Sequence, residues 1–498
     1  MTSIRKKITT LLLAAPLVVN LGFPRGIKTA PDPPFAKKDF DTIQSDLQKS
    51  YLELFALAPE VHYPPDQIEK MRAYLHDAQN YCVTELKAKS DAYKSEIKQD
   101  ENSLNKKTDQ KTDQKTAELS DGERHDLHCS IQNDEKLKAQ TDVVIEHAMP
   151  LAYENKQAKL ELLEKWPADY ERIHQEKQDG SYRNRRWGNV EDIGFRTIAD
   201  GQEKDIKTGE EAIKQMKESG LMPDELKNKA VVDYVNQIAQ KVAAHSDLKV
   251  PLKVTVLDDK EINAFALPGG FLYVDRGLVE AVDDESELAG VLAHEIGHDT
   301  ARHAHSLMKK AEIASIMFQA AEVAVGALTG GVASLGTYYA IQYGFYGLDM
   351  ALNLELLGVS REYELQADQL GIQYAWNSGY DPTGFIRFFD KMATKEGFVR
   401  GVSWFHDHPP FYQRMVDAER EILFLPKKDD LVVTTTDFST MKSALTEHLK
   451  KYPDMEKNRP TLIRREKGCT DAPKLDLSQL TQNIAPVCFL PNPEEPAD

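Results

Sequence analysis

The sequence predicts an α+β fold, mostly α with a small β-sheet, preceded by a long helical, hairpin-like N-terminal region. Three observations predict it. His-Glu-Ile-Gly-His at 294–298 sits in an apolar stretch where Leu288, Val291, Leu292, Ala293 and Ile296 form the buried side of a helix. Ser360-Arg-Glu-Tyr-Glu-Leu-Gln-Ala-Asp368 reads as a second helix carrying Glu364 and Asp368 four residues apart. Residues 39–176 are rich in Lys, Glu, Gln and Ala, with apolar side chains at helical spacing.

From the N-terminus, Arg5, Lys6 and Lys7 precede an apolar run from Ile8 to Val19, and the next charge is Arg25. This is the plan of a signal peptide over 1–25, too short for a comfortable membrane span. No clean small-x-small cleavage site follows, so an uncleaved anchor is the alternative. Export to a bacterial periplasm or to the outside is the expected location. Four cysteines fall into two local pairs, Cys82 with Cys129 and Cys469 with Cys488, and an even count in an exported chain predicts disulfides.

In the arm, helical spacing appears at Leu52 and Phe55, at Ile68, Met71 and Leu75, and at Leu160 and Leu163. The low-complexity stretch from Lys107 to Thr116 then forms the tip between two long helices. Pairing of Cys82 with Cys129 would staple that hairpin below its tip. Arg183-Asn-Arg-Arg-Trp187 is the one basic cluster and is expected to be a solvated loop. A formal net charge of −18 disfavours nucleic acid as a partner.

The chemistry is concentrated downstream. On one helix, residues i and i+4 share a face, so His294 and His298 can reach a single ion while Glu295 sits beside it. With 14 His, and with all 80 acids counted as Glu, chance gives roughly 0.06 such motifs here, too few to dismiss the pattern. Two imidazoles need a third ligand, and a Glu from a second helix is the usual completion of a His2Glu zinc site. Glu364 fits that place. Asp368, on the same face, would hold a ligand imidazole in the required tautomer. Between the two helices, Val323 to Leu348 runs 26 residues without a formal charge, longer than a bilayer requires. Its six glycines and small polar residues favour a flexible lid over a transmembrane hairpin.

Ser360-Arg361-x-x-Glu364-x-x-Ala367-Asp368 resembles the second signature of the HtpX- and BepA-like gluzincin peptidases, the family that also holds the CAAX prenyl endoproteases and mitochondrial Oma proteases. Two further segments match: Asn263-Ala-Phe-Ala-Leu-Pro-Gly-Gly270 with Phe271 to Val274, and His408-Pro409-Pro410 followed by Arg414. The resemblance runs from about Glu203 to Arg420, in the family's order. It implies a zincin-type metallopeptidase domain over 200–425, followed by a C-terminal extension over 426–498. It also implies one zinc ion per chain on His294, His298 and Glu364, with Glu295 as general base and Asp368 behind the ligands. His408 and Arg414 would stabilise the oxyanion, or His408 would cap the metal in a latent state, with His406 a nearby competitor. Asn263, Ala264, Phe265 and Ala266 would form an edge strand on which an extended substrate pairs its backbone. The implied activity is peptide hydrolysis of misfolded or envelope polypeptides, outer-membrane proteins among them. The alternative is an envelope chaperone or binding protein whose zinc site is latent.

Overall fold

The computed structural model describes residues 30–57, 59–104, 119–187, 198, 200–218, 222–306, 361–395, 412–452 and 469. Expectations for 1–25, the 107–116 tip, the 323–348 block, His406, His408 and Cys488 fall outside them.

The N-terminal region is built from α1 (Lys37–Asp46), α2 (Tyr51–Leu57) and α3 (Pro65–Leu104). Next, α4 (Asp121–Val143) runs through a single π turn (Val144–Ala148) into α5 (Met149–Asp179). A capping box starts α4: Ser120 accepts from the Glu123 N–H, and the Glu123 carboxylate returns to Ser120. The rod α4–α5 lies antiparallel to α3. Arg72 pairs with Glu164 at 2.8 Å, Cys82 Sγ meets Tyr153 Oη at 3.7 Å, and Ser90 donates to Asp142 at 2.5 Å. Of the predicted contact residues, Phe55, Ile68, Met71, Leu75, Leu160 and Leu163 are buried and Leu52 is half-buried against the same core.

That register corrects the disulfide expectation. Cys129 bonds to Cys469, 340 residues away, with a Cα–Cα distance of 5.3 Å. Cys82 is also disulfide-bonded. Since Cys82 on α3 lies opposite Tyr153, it sits about 30 Å along the hairpin from Cys129, far beyond bridging distance. Proximity in sequence was no guide to proximity in space.

The base of the arm packs onto the C-terminal helices. On α5, the buried Trp166 donates to the Phe55 carbonyl at 3.0 Å. Lys159 reaches Asp390 at 3.4 Å, and Tyr412 Oη donates to Asp169 at 2.7 Å. The basic cluster is only partly the solvated loop expected from its composition: the Arg185 side chain is buried 3.4 Å from Glu421 and lies over Phe424. A guanidinium's flat apolar face packs well on an aromatic ring, which a count of charges does not reveal.

The second half contains α6 (Gln202–Glu218) and α7 (Lys229–Ala243), then β1 (Lys253–Leu257), β2 (Ala264–Leu267) and β3 (Phe271–Asp275). The sheet is mixed, in the order β1-β3-β2: β1 is parallel to β3, and β2 is antiparallel to it with Ala264 opposite Val274. Strand β2 is therefore an edge. Its turn to β3 uses Gly269 and Gly270 at φ +95° and +88°, and any Cβ on Gly269 would meet Ile206 Cα of α6 at 2.4 Å. There follow α8 (Arg276–Ala281), α9 (Glu285–Thr300), α10 (Arg361–Asn377), α11 (Thr383–Lys395), α12 (Tyr412–Phe424) and α13 (Thr436–Lys451). Among the described residues no helix is long and apolar enough to cross a membrane.

Candidate metal centre

Helix α9 is buried around nearly its whole circumference, which accounts for its apolar run. Asp284 caps it by accepting the Glu287 N–H at 3.0 Å. Helix α10 crosses it at unusually close range because two positions lack side chains. A Cβ on Gly371 would stand 2.8 Å from His294 Cα, and one on Gly297 would stand 3.0 Å from the Ala367 carbonyl.

This approach brings together the residues singled out by spacing. His294 Nε2 and His298 Nε2 are 2.9 Å apart, and the Glu364 carboxylate is 3.5 Å from the first and 3.3 Å from the second. These donors all lie within 4.8 Å of one another. Bonds of 2.0–2.1 Å to a tetrahedral ion put ligand atoms about 3.3 Å apart; the Glu364 contacts match this, and the two imidazole nitrogens would part by about 0.4 Å to take a zinc ion. Glu295 is buried beside the cluster.

Behind the donors lies a charged layer. Asp368 Oδ1 is 2.9 Å from His294 Nδ1. Arg414, fully buried on α12, donates twice to Asp368, at 2.7 Å each, and stands 3.1 Å from Glu364. Its guanidinium faces these carboxylates, a different placement from the oxyanion contact expected of it. Burial opposes the Arg414 charge, but Asp368 and Glu364 outweigh burial and raise its pKa. The same contest raises His294 to about 9, with burial resisting and hydrogen bonds to Asp368 and Glu364 prevailing. The cluster thus favours positive charge at the point where the donors converge.

One participant escaped the sequence reading. His303 is buried, with Nδ1 2.9 Å from His298 Nδ1 and Nε2 3.0 Å from Gln366 Oε1. Its ring stacks on Tyr363 at 4.4 Å, and burial lowers its pKa to about 4. The available signal was a third histidine five residues beyond the second.

The edge strand is tied to the same helix. Asp299, adjacent to His298, accepts the Gly269 N–H at 3.1 Å from the β2–β3 turn. Burial lifts the Asp299 pKa to about 7, against the pull of the Gly269 and Gly270 N–H groups. Asn263 and Ala264 are buried, whereas Phe265 and Ala266 are half-buried. The Asn263 side chain accepts the Ala264 N–H at 2.9 Å, so it shapes the start of the strand.

Residues 229–422 match Peptidase family M48. The "Beta-barrel assembly-enhancing protease" of Escherichia coli K12 is 28% identical over 225 residues, 45% of this chain and 44% of that protein. The "Mitochondrial metalloendopeptidase OMA1" of Schizosaccharomyces pombe is 30% identical over 191 residues, 37% of this chain and 51% of that protein. "Metalloprotease YcaL" of Escherichia coli K12 is 30% identical over 164 residues, covering 33% of this chain and 59% of that protein. The chain spans less than half the length of the beta-barrel assembly-enhancing proteases it matches, and the whole of the arm lies outside the family match.

Proposed function

We propose, taking residues 229–422 as a peptidase family M48 domain, that this chain is a zinc-dependent metalloendopeptidase cleaving misfolded or envelope proteins. The convergence of His294, His298 and Glu364 on one point carries the reading. A zinc ion held there supplies a Lewis acid that makes water nucleophilic near neutral pH. The protein's own residues do the rest. Glu295 takes the proton from the attacking water and returns it to the leaving amine. Asp368 fixes His294 with its Nε2 lone pair turned to the donors. Arg414 is a positioning residue: its two bonds to Asp368 and its contact with Glu364 hold both carboxylates in register. The oxyanion role falls to His408, four residues before α12.

Substrate selection follows from β2. As an edge, β2 has a strand on one side only among the described residues, and an extended polypeptide pairing along Phe265 and Ala266 would be read weakly by its side chains. That suits unfolded chains. An exported location in the periplasm agrees with the signal-like residues 1–25 and with a disulfide joining the arm to residue 469.

Cleavage of casein by the mature protein, abolished by a zinc chelator and restored by added zinc, is the expected result. A protein that holds one zinc per chain yet leaves casein intact would overturn this reading in favour of an envelope chaperone with a latent site.

A further inference from the structure

Helix α9 ends at Thr300, and the chain reverses at Arg302, the one non-glycine among the described residues with positive φ, +59°. A left-handed arginine costs on the order of 1 kcal/mol and persists only where its surroundings enforce it. Here Asp205 of α6 enforces it, accepting from Arg302 Nε at 2.5 Å and from Nη2 at 2.7 Å. The reversal carries His303 back against the second imidazole of the donor cluster, to 2.9 Å from His298 Nδ1.

The order of protons along this chain of groups is forced. Gln366 Oε1 is a carbonyl oxygen and can only accept, so His303 Nε2 is the donor at 3.0 Å. A neutral imidazole carries one N–H, which leaves His303 Nδ1 an acceptor. His298 must then donate from Nδ1, which puts its lone pair on Nε2, the atom facing His294 Nε2 and Glu364. The reverse order excludes itself, because an Nδ1–H on His303 would drive the His298 proton onto Nε2 and block that atom.

We propose that His303 is a positioning residue for the metal, setting the tautomer and ring orientation of His298 through the relay Gln366–His303–His298. Asp368 does the corresponding work for His294, so the two imidazoles are held by unlike means: a carboxylate on one side, a neutral imidazole on the other. A neutral acceptor polarises its partner less than a carboxylate does, which makes His298 the softer-held ligand of the pair. Tyr363, stacked on His303 from the first turn of α10, and Gln366 on the same helix couple this relay to the helix that carries Glu364.

The inference rests on the metal-site reading above, and its test is metal affinity, measured by competition with a chromophoric chelator on the full mature chain. In His303→Phe the ring and its stack on Tyr363 remain but the acceptor is gone. Zinc affinity should fall 10- to 100-fold, with the thermal midpoint of the metal-free protein little changed. His303→Asn places an amide oxygen where Nδ1 stood and should recover most of the affinity. Equal affinity in wild type and His303→Phe would overturn the relay, as would equal loss in the Phe and Asn variants. A wild type that binds no zinc would instead overturn the metal-site reading itself.

Discussion

A methyl group at position 371 should separate the two helices that make the site. The Cβ of Gly371→Ala would lie 2.8 Å from both His294 Cα and N and 3.1 Å from Ala293 C. Carbon contacts are at ease at about 3.5–4.0 Å, so α10 must withdraw from α9 by roughly 0.7–1 Å. The obstructing atoms are backbone in the middle of a buried helix and cannot swing aside as a side-chain tip could. Glu364 is seven residues, two turns, along the same helix and would move with it. Metal sites tolerate ligand displacements of about 0.2 Å, several times less than this shift, so zinc affinity should fall at least about tenfold. Overpacking costs about 1–3 kcal/mol, while alanine gains about 1 kcal/mol over glycine in a helix, leaving a net loss of up to about 2 kcal/mol. Gly122→Ala on α4 is the control, because its Cβ meets only Ser120 Oγ at 4.0 Å and should be neutral or stabilising. Zinc competition and thermal denaturation on both variants decide the matter. Unchanged affinity in Gly371→Ala, with a midpoint raised as in Gly122→Ala, would refute the close-approach argument.

Two further outcomes are expected. Arg414→Met should remove about 3–5 kcal/mol of stability in urea unfolding, because it strands the Asp368 and Glu364 charges in a buried site. Arg414→Lys should recover little of it, since an ammonium cannot reproduce two parallel bonds to one carboxylate; full rescue by lysine would show that charge alone matters. On α5, burial first and then Lys159 lower the Lys156 pKa from 10.5 to about 8. Between those values the unfolded chain binds more protons than the folded one, so stability rises with pH across that window and the penalty is fully present below pH 8. Lys156→Met should therefore raise stability at pH 7 by about 1–3 kcal/mol, with the gain shrinking towards pH 10. A gain independent of pH would show that packing rather than charge is responsible.

The candidate metal centre was legible because the residues that converge there obey local periodicity. His294 and His298, and Glu364 and Asp368, are each i and i+4 pairs on one helix face, whereas the edge strand was expected only from the family resemblance of Asn263 to Gly270. What stayed hidden depends on groups distant in sequence. His303 reaches His298 only because Asp205 holds Arg302 in a left-handed turn from 97 residues upstream. Arg414 faces Asp368 because α12 packs beside α10, which spacing along one segment cannot disclose. The cysteines paired by long-range geometry, and Arg185 was absorbed by Glu421 and Phe424. Helical contact residues of the arm could be read from apolar spacing, whereas its docking on α11 and α12 through Lys159 and Asp169 could not.

In the proposed mechanism Glu295 acts as general base beside a metal held by His294, His298 and Glu364. Zinc content and casein hydrolysis, measured on the same preparations of wild type and Glu295→Gln, test it most directly. One zinc per chain is expected in both proteins, with a loss of turnover of at least about 100-fold in the variant. Undiminished hydrolysis by Glu295→Gln, or turnover by a protein that holds no metal, would contradict it.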